Sequence, residues 1–109
     1  MDTMKNSKTV KFHDWTCRLQ FGKYINGRTA IQLYDLTDGD LIATATVNVE
    51  DLKHLGDDEV IIKNYSENEG ILDILVEAGI ISKPSYRVQT GFVQCPICKL
   101  LVNPDDYEN

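Results

Sequence analysis

The residues best spaced for chemistry stand near the C-terminus, in Cys95-Pro96-Ile97-Cys98. Cys-x-x-Cys spacing lets two thiolates grip one metal, and a tetrahedral zinc then needs two further ligands. His13 and Cys17, spaced H-x3-C, would supply them, with His54 a poorer option. The full set His13, Cys17, Cys95 and Cys98 would join the two ends of the chain. A second reading treats all three cysteines as structural. Cys17 alternates with Leu19 and Phe21, as a small buried hydrophobe does. There is also no second Cys-x-x-Cys, so the expectation is no cofactor, with zinc as the alternative. A redox pair is disfavoured, because that motif opens a helix after a strand. Here it lies between Val93 and Leu100-Leu101, in a strand-like run.

Two other groups carry recognition chemistry. The polar segment 63–70 leads into a helix, whose free N–H groups can receive an anion. Asn64 and Tyr65 there, with Tyr24 and Arg28 from the basic end, make a candidate site for a small anionic, nucleotide-like ligand. In the competing reading, Ser66 and Glu69 form a capping box and the rest is solvated loop. The carboxylates Asp57, Asp58, Glu59, Glu67 and Glu69 are candidates for meeting a basic protein partner, or else simply a solvated face. Nucleophile elbows, H-E-x-x-H and phosphate-binding glycine loops are all missing, so an enzyme is not expected.

The charge is unevenly spread. Residues 1–34 hold six basic and two acidic side chains, whereas 35–80 hold twelve acidic and two basic. The net charge of −6 disfavours general nucleic-acid binding, which needs a dense basic surface. The chain has 109 residues, 42% of them hydrophobic, which suits one globular domain and not an unfolded chain. No apolar run approaches the roughly 20 residues that span a bilayer. The first ten residues lack the apolar core of a signal peptide. The odd cysteine count argues against a disulfide framework and for the reducing cytoplasm.

These groups need elements to hold them. Cys17, Leu19 and Phe21 alternate with polar residues, as do Ile31 and Leu33 and then Leu41 through Val49, so three successive antiparallel strands are predicted. Asn26-Gly27 and Asp38-Gly39 mark the hairpins. Three-residue loops, with both glycines left-handed, pair Phe21 with Ile31, Leu19 with Leu33 and Leu33 with Ala43 on one apolar face. Residues 9–15 are expected to add an edge strand before the meander, and Val60–Ile62 a short apolar one after it. A helix over 67–78 has its apolar face at Ile71, Leu72, Leu75, Val76 and Ala78, with Gly79 as C-terminal cap. Ser85–Gln94 reads as the last strand.

The strings Trp15–Leu33 (W-x-C-x-L-x-F-G-K-Y-x-N-G-R-T-A-I-Q-L), Ile42–Asn48, Asp58–Gly70 and Gly91–Leu101 together resemble an uncharacterised family of short bacterial proteins. Its members are often encoded on phages, plasmids and conjugative elements. The resemblance spans about residues 11–101. It implies an accessory protein of a mobile element, such as an inhibitor of a host defence system, and assigns no catalytic residue.

The resulting expectation is an α+β domain: an antiparallel sheet of about five or six strands with one helix packed on a face. It covers residues 9–102, between a flexible arm (1–8) and a frayed tail (103–109). Its expected role is non-enzymatic binding of a host or element protein. The alternatives are an anionic-ligand binder or a zinc-stabilised module.

Overall fold

The computed structural model describes residues 9–49 and 55–107. Strands β1 (Thr9–Phe12), β2 (Trp15–Lys23), β3 (Thr29–Asp35) and β4 (Leu41–Thr44) form an antiparallel meander in chain order. Strands β5 (Glu59–Ile61), β6 (Tyr86–Thr90) and β7 (Val93–Lys99) form a second antiparallel sheet in the order β5-β7-β6. One helix, α1 (Ile71–Glu77), lies between β5 and β6 in the chain. The α+β class and antiparallel pairing agree with the sequence pattern. The single sheet of five or six strands does not: the described residues form two, of four and three.

The first hairpin follows the apolar alternation. Phe21 faces Ile31 and Leu19 faces Leu33, and Tyr24 N donates to Arg28 O at 2.8 Å around a three-residue loop. Gly27 sits at φ 87°, a conformation that a β-carbon would strain. The second hairpin keeps Leu33 opposite Ala43, but the register slips by one so that Tyr34 faces Leu41. The three-residue loop expected here is therefore a longer one, closed by Asp35 N donating to Asp40 O at 2.7 Å. Asp35 and Asp38 cause the extra turn: each carboxylate accepts the N–H two residues on, from Thr37 at 2.9 Å and Asp40 at 3.1 Å. The surplus residue is taken up as a bulge.

The long alternation through Val49 does not continue as one strand. β4 ends at Thr44, and both Ala45 and Thr46 are buried. Thr46 then bridges to Ile62, flanked by Val47 N donating to Ile61 O at 3.0 Å and Lys63 N to Ala45 O at 2.8 Å. The chain thus crosses from one sheet to the other. Residues 85–94, expected as one strand, are instead β6, a turn at Gly91-Phe92 and the start of β7. Gly91 has φ 65° at the first turn position, as a type II′ hairpin requires.

Helix α1 is shorter than the predicted 67–78. Ser66–Asn68 form a separate 3-10 turn, and Gly70 at φ 97° separates it from α1. The capping box does not form. The side chain of Asn64 does the capping, its Oδ1 accepting from Gly70 N at 3.1 Å and Leu72 N at 2.9 Å. The other end has the expected glycine: Gly79 N donates to Val76 O and Ile80 N to Leu75 O, both at 3.0 Å.

One large core joins the meander's inner face to α1 and to one side of β7, through Leu19, Ile31, Leu33, Ile71, Leu75 and Cys98. A smaller cluster of Ile61, Cys95 and Ile97 lies under Val47, Leu55 and Tyr65. The tail expected to fray is packed as far as Tyr107. Pro104–Asp106 make a 3-10 turn, and the buried Tyr107 ring meets Phe21 edge-on at 4.9 Å. The arm 1–8 and residues 108–109 lie outside the described residues.

Candidate functional site

Strand geometry decides the fate of the Cys-x-x-Cys motif. Side chains alternate across a strand, so positions three apart point to opposite faces. In β7, Cys95 joins the small cluster and Cys98 the large one, and the two thiols cannot share an ion from there. Cys17 shares the core of Cys98, while His13 occupies the exposed β1–β2 turn with its ring 4.1 Å from that of Phe12. No three His, Cys, Asp or Glu side chains among the described residues are grouped to hold a metal. The proposed quartet is therefore not assembled, and His54 lies outside the described residues. Burial pushes the Cys98 thiol up to about 11, and burial followed by the Asp35 charge raises Cys17. Protonated buried thiols are poor ligands and poor nucleophiles.

The anionic-ligand set is also dispersed into structural work. The Tyr24 hydroxyl lies 2.9 Å from Thr46 Oγ1 and donates to Thr46 O at 3.1 Å, which ties the first hairpin to the crossing segment. Arg28 donates to Val49 O beside it. Asn64 caps α1, and Tyr65 packs on the small cluster with Lys63 Nζ 5.5 Å from its ring centroid.

The acidic candidates divide between the two ends of β5. Asp57 and Asp58 are exposed at its start, lining a groove of about 580 Å³ with Lys23, Thr29 and Asp105. Glu59 is engaged within the chain: its Oε1 accepts from Gly56 N at 2.8 Å and the Tyr86 hydroxyl at 3.2 Å. Beyond the other end, Glu67 pairs with Lys63 at 2.7 Å, and this hydrogen bond holds its carboxyl below the ordinary value. Glu69 is exposed.

A different group emerges on the outward face of the meander. The β2–β3 register sets Arg18 opposite Tyr34 and Gln20 opposite Gln32. The Arg18 guanidinium lies 4.8 Å from the Tyr34 ring centroid and donates to Gln20 Oε1 at 3.0 Å. The Tyr34 hydroxyl donates to Gln32 Oε1 at 3.4 Å. Lys11 of β1 faces Thr16 on the same side, diagonal to Arg18. No described strand position on this face bears a carboxylate; Asp35 falls opposite Cys17, on the inner side. The cue was present in the sequence, since the register that pairs Leu19 with Leu33 also pairs Arg18 with Tyr34. It was missed because reading along the chain seeks neighbours in sequence, and these residues are neighbours only across strands.

No family model matches the chain, and neither a curated protein nor a solved structure matches it. No described helix is long and apolar enough to cross a membrane.

Proposed function

We propose that this chain is a binding protein that engages a host or element protein through its surface and carries out no catalysis. The observation that carries this reading is the division of charge: a chain of net −6 presents one sheet face with Lys11, Arg18 and an arginine-stacked tyrosine, and none of its described strand positions bears a carboxylate. The acidic stretch is the weaker contact surface, because its carboxylates are split between two places and Glu59 and Glu67 already have partners within the chain. The resemblance to proteins of phages and conjugative elements supports an accessory role, with interference in a host defence system as its sharpest form. The anionic-ligand reading loses support, since its four residues are occupied separately. The test is co-purification of the tagged chain from bacterial cells, followed by mass spectrometry. One protein retained in stoichiometric amount at low salt and released as salt rises is expected. No stoichiometric partner would overturn the proposal.

A further inference from the structure

We infer that the outward face of the meander receives an extended acidic segment of a partner protein, with carboxylates on alternate residues. This rests on the reading of the chain as a binding protein and specifies the chemistry of what it binds. Lys11 and Arg18 are diagonal neighbours across β1 and β2, since Thr9 faces Arg18 and Lys11 faces Thr16. Diagonal positions lie roughly 7–8 Å apart. In an extended peptide, side chains two residues apart share a face and are separated by roughly 7 Å. Two such carboxylates match the two cations in sign and spacing. The Arg18 guanidinium is steadied by the Tyr34 ring and Gln20 Oε1, so its fork is presented with little freedom left to lose. A single-stranded nucleic acid fits less well. Tyr34, the one aromatic ring at the described strand positions of this face, is already covered by Arg18, and the two cations at those positions are few for tracking phosphates.

The test is fluorescence anisotropy with a labelled peptide of alternating serine and glutamate, against an oligothymidylate of similar length, at low salt. The expected result is that the peptide binds, that Arg18→Gln weakens it about tenfold or more, and that Lys11→Gln weakens it less. Amide shifts on titration should gather on β1, β2 and β3. Arg18→Lys keeps the charge without the fork and should fall between wild type and Arg18→Gln, while unchanged thermal melting shows that each variant folds. Tighter binding of the oligothymidylate with the same sensitivity to Arg18 would overturn the acidic segment in favour of nucleic acid. Self-association abolished by Arg18→Gln would overturn it in favour of a second copy of the chain. Peptide binding indifferent to both variants, or absent, would overturn the face. A stoichiometric partner captured from cells would still stand in that case, so the two failures can be told apart.

Discussion

The two sheets of this protein are built by different rules. In the meander every strand pairs with its neighbour in sequence, and one face is buried while the other meets water. Apolar and polar residues therefore alternate, and short turns between neighbouring strands set the register. In the smaller sheet, β7 is the middle strand, and Cys95, Pro96, Ile97 and Cys98 are all buried, two toward each face. Its partner β5 is more than thirty residues away in the chain. Local pairing with one wet face leaves a period in the sequence; non-local pairing with two dry faces leaves an apolar run without one. The same difference turns a motif with metal-binding spacing into two separately buried thiols.

The largest effects should separate the two cores. Leu33→Ala, at the centre of the large cluster, should cost about 2–5 kcal/mol in urea unfolding, and Ile97→Ala in the small cluster should fall at the low end of that range. Among the described residues Ile97 has two fully buried apolar partners there, so its surroundings can collapse more readily into the space left. A greater loss at Ile97 would make the smaller sheet the better-packed one and reverse the comparison. Next come the turns. Gly27→Val forces a branched residue to φ 87° and should cost about 1–3 kcal/mol. Gly22→Ala, with ordinary φ and open space at its β-carbon, should be within a few tenths of neutral. Equal losses would show that the first hairpin is not held by its turn.

Legibility followed the same divide. The pairings of Leu19 and Phe21, the left-handed Gly27 and Gly39 and the Gly79 cap were all readable, because each depends on residues close in sequence. The slip at Tyr34 was hidden in the carboxylates of Asp35 and Asp38, which wind the loop one residue further than glycine placement alone suggests. The β6–β7 turn did carry a signal, a glycine at the first of two turn positions, but the surrounding apolar residues read as one strand. The cap of α1 was assigned to Ser66 by spacing, whereas Asn64 reaches it across the 3-10 turn. The candidate face was the least visible, because its cation, ring and amides come from different strands.

The helix cap offers an intermediate effect. Asn64→Ala leaves the Gly70 and Leu72 N–H groups without their acceptor and should cost about 1–2 kcal/mol. Ser66→Ala should change stability by no more than a few tenths, because no side-chain cap bond is made at that turn. Reversed results would restore the capping box. The thiols predict an alkaline limit. Cys98 is raised from 9.0 to about 11 by burial, and Cys17 is raised by burial and then by Asp35. Below pH 9 both thiols are protonated whether the chain is folded or not, so their contribution is fully present. Above it the unfolded chain ionises first, and stability should fall as pH approaches 11. Melting temperatures of wild type and Cys98→Ala, followed from pH 8 to pH 11, should show a shallower alkaline decline in the variant. Parallel declines would assign the limit to other groups, such as Tyr107, which burial also raises.

The smallest effect should come from the Lys63–Glu67 pair, a contact only four residues long in the non-local half of the molecule. Its 2.7 Å distance looks strong, and the hydrogen bond lowers the Glu67 carboxyl and raises the Lys63 ammonium. A lowered carboxyl contributes stability above its unfolded value of 4.5 and loses it as pH falls through the folded value. Both side chains nevertheless reach solvent, with relative exposures of 27% and 68%, so water and salt screen the attraction. Glu67→Gln should leave the unfolding midpoint unchanged at physiological ionic strength and lower it only slightly at low salt. A clear loss that persists at high salt would mean that the pair holds the turn carrying Asn64 to the helix, with geometry and not charge as its contribution. The cap of α1, whose Ile71 and Leu75 pack in the large core, would then depend on a contact four residues long, and local geometry would hold the chain at that one place.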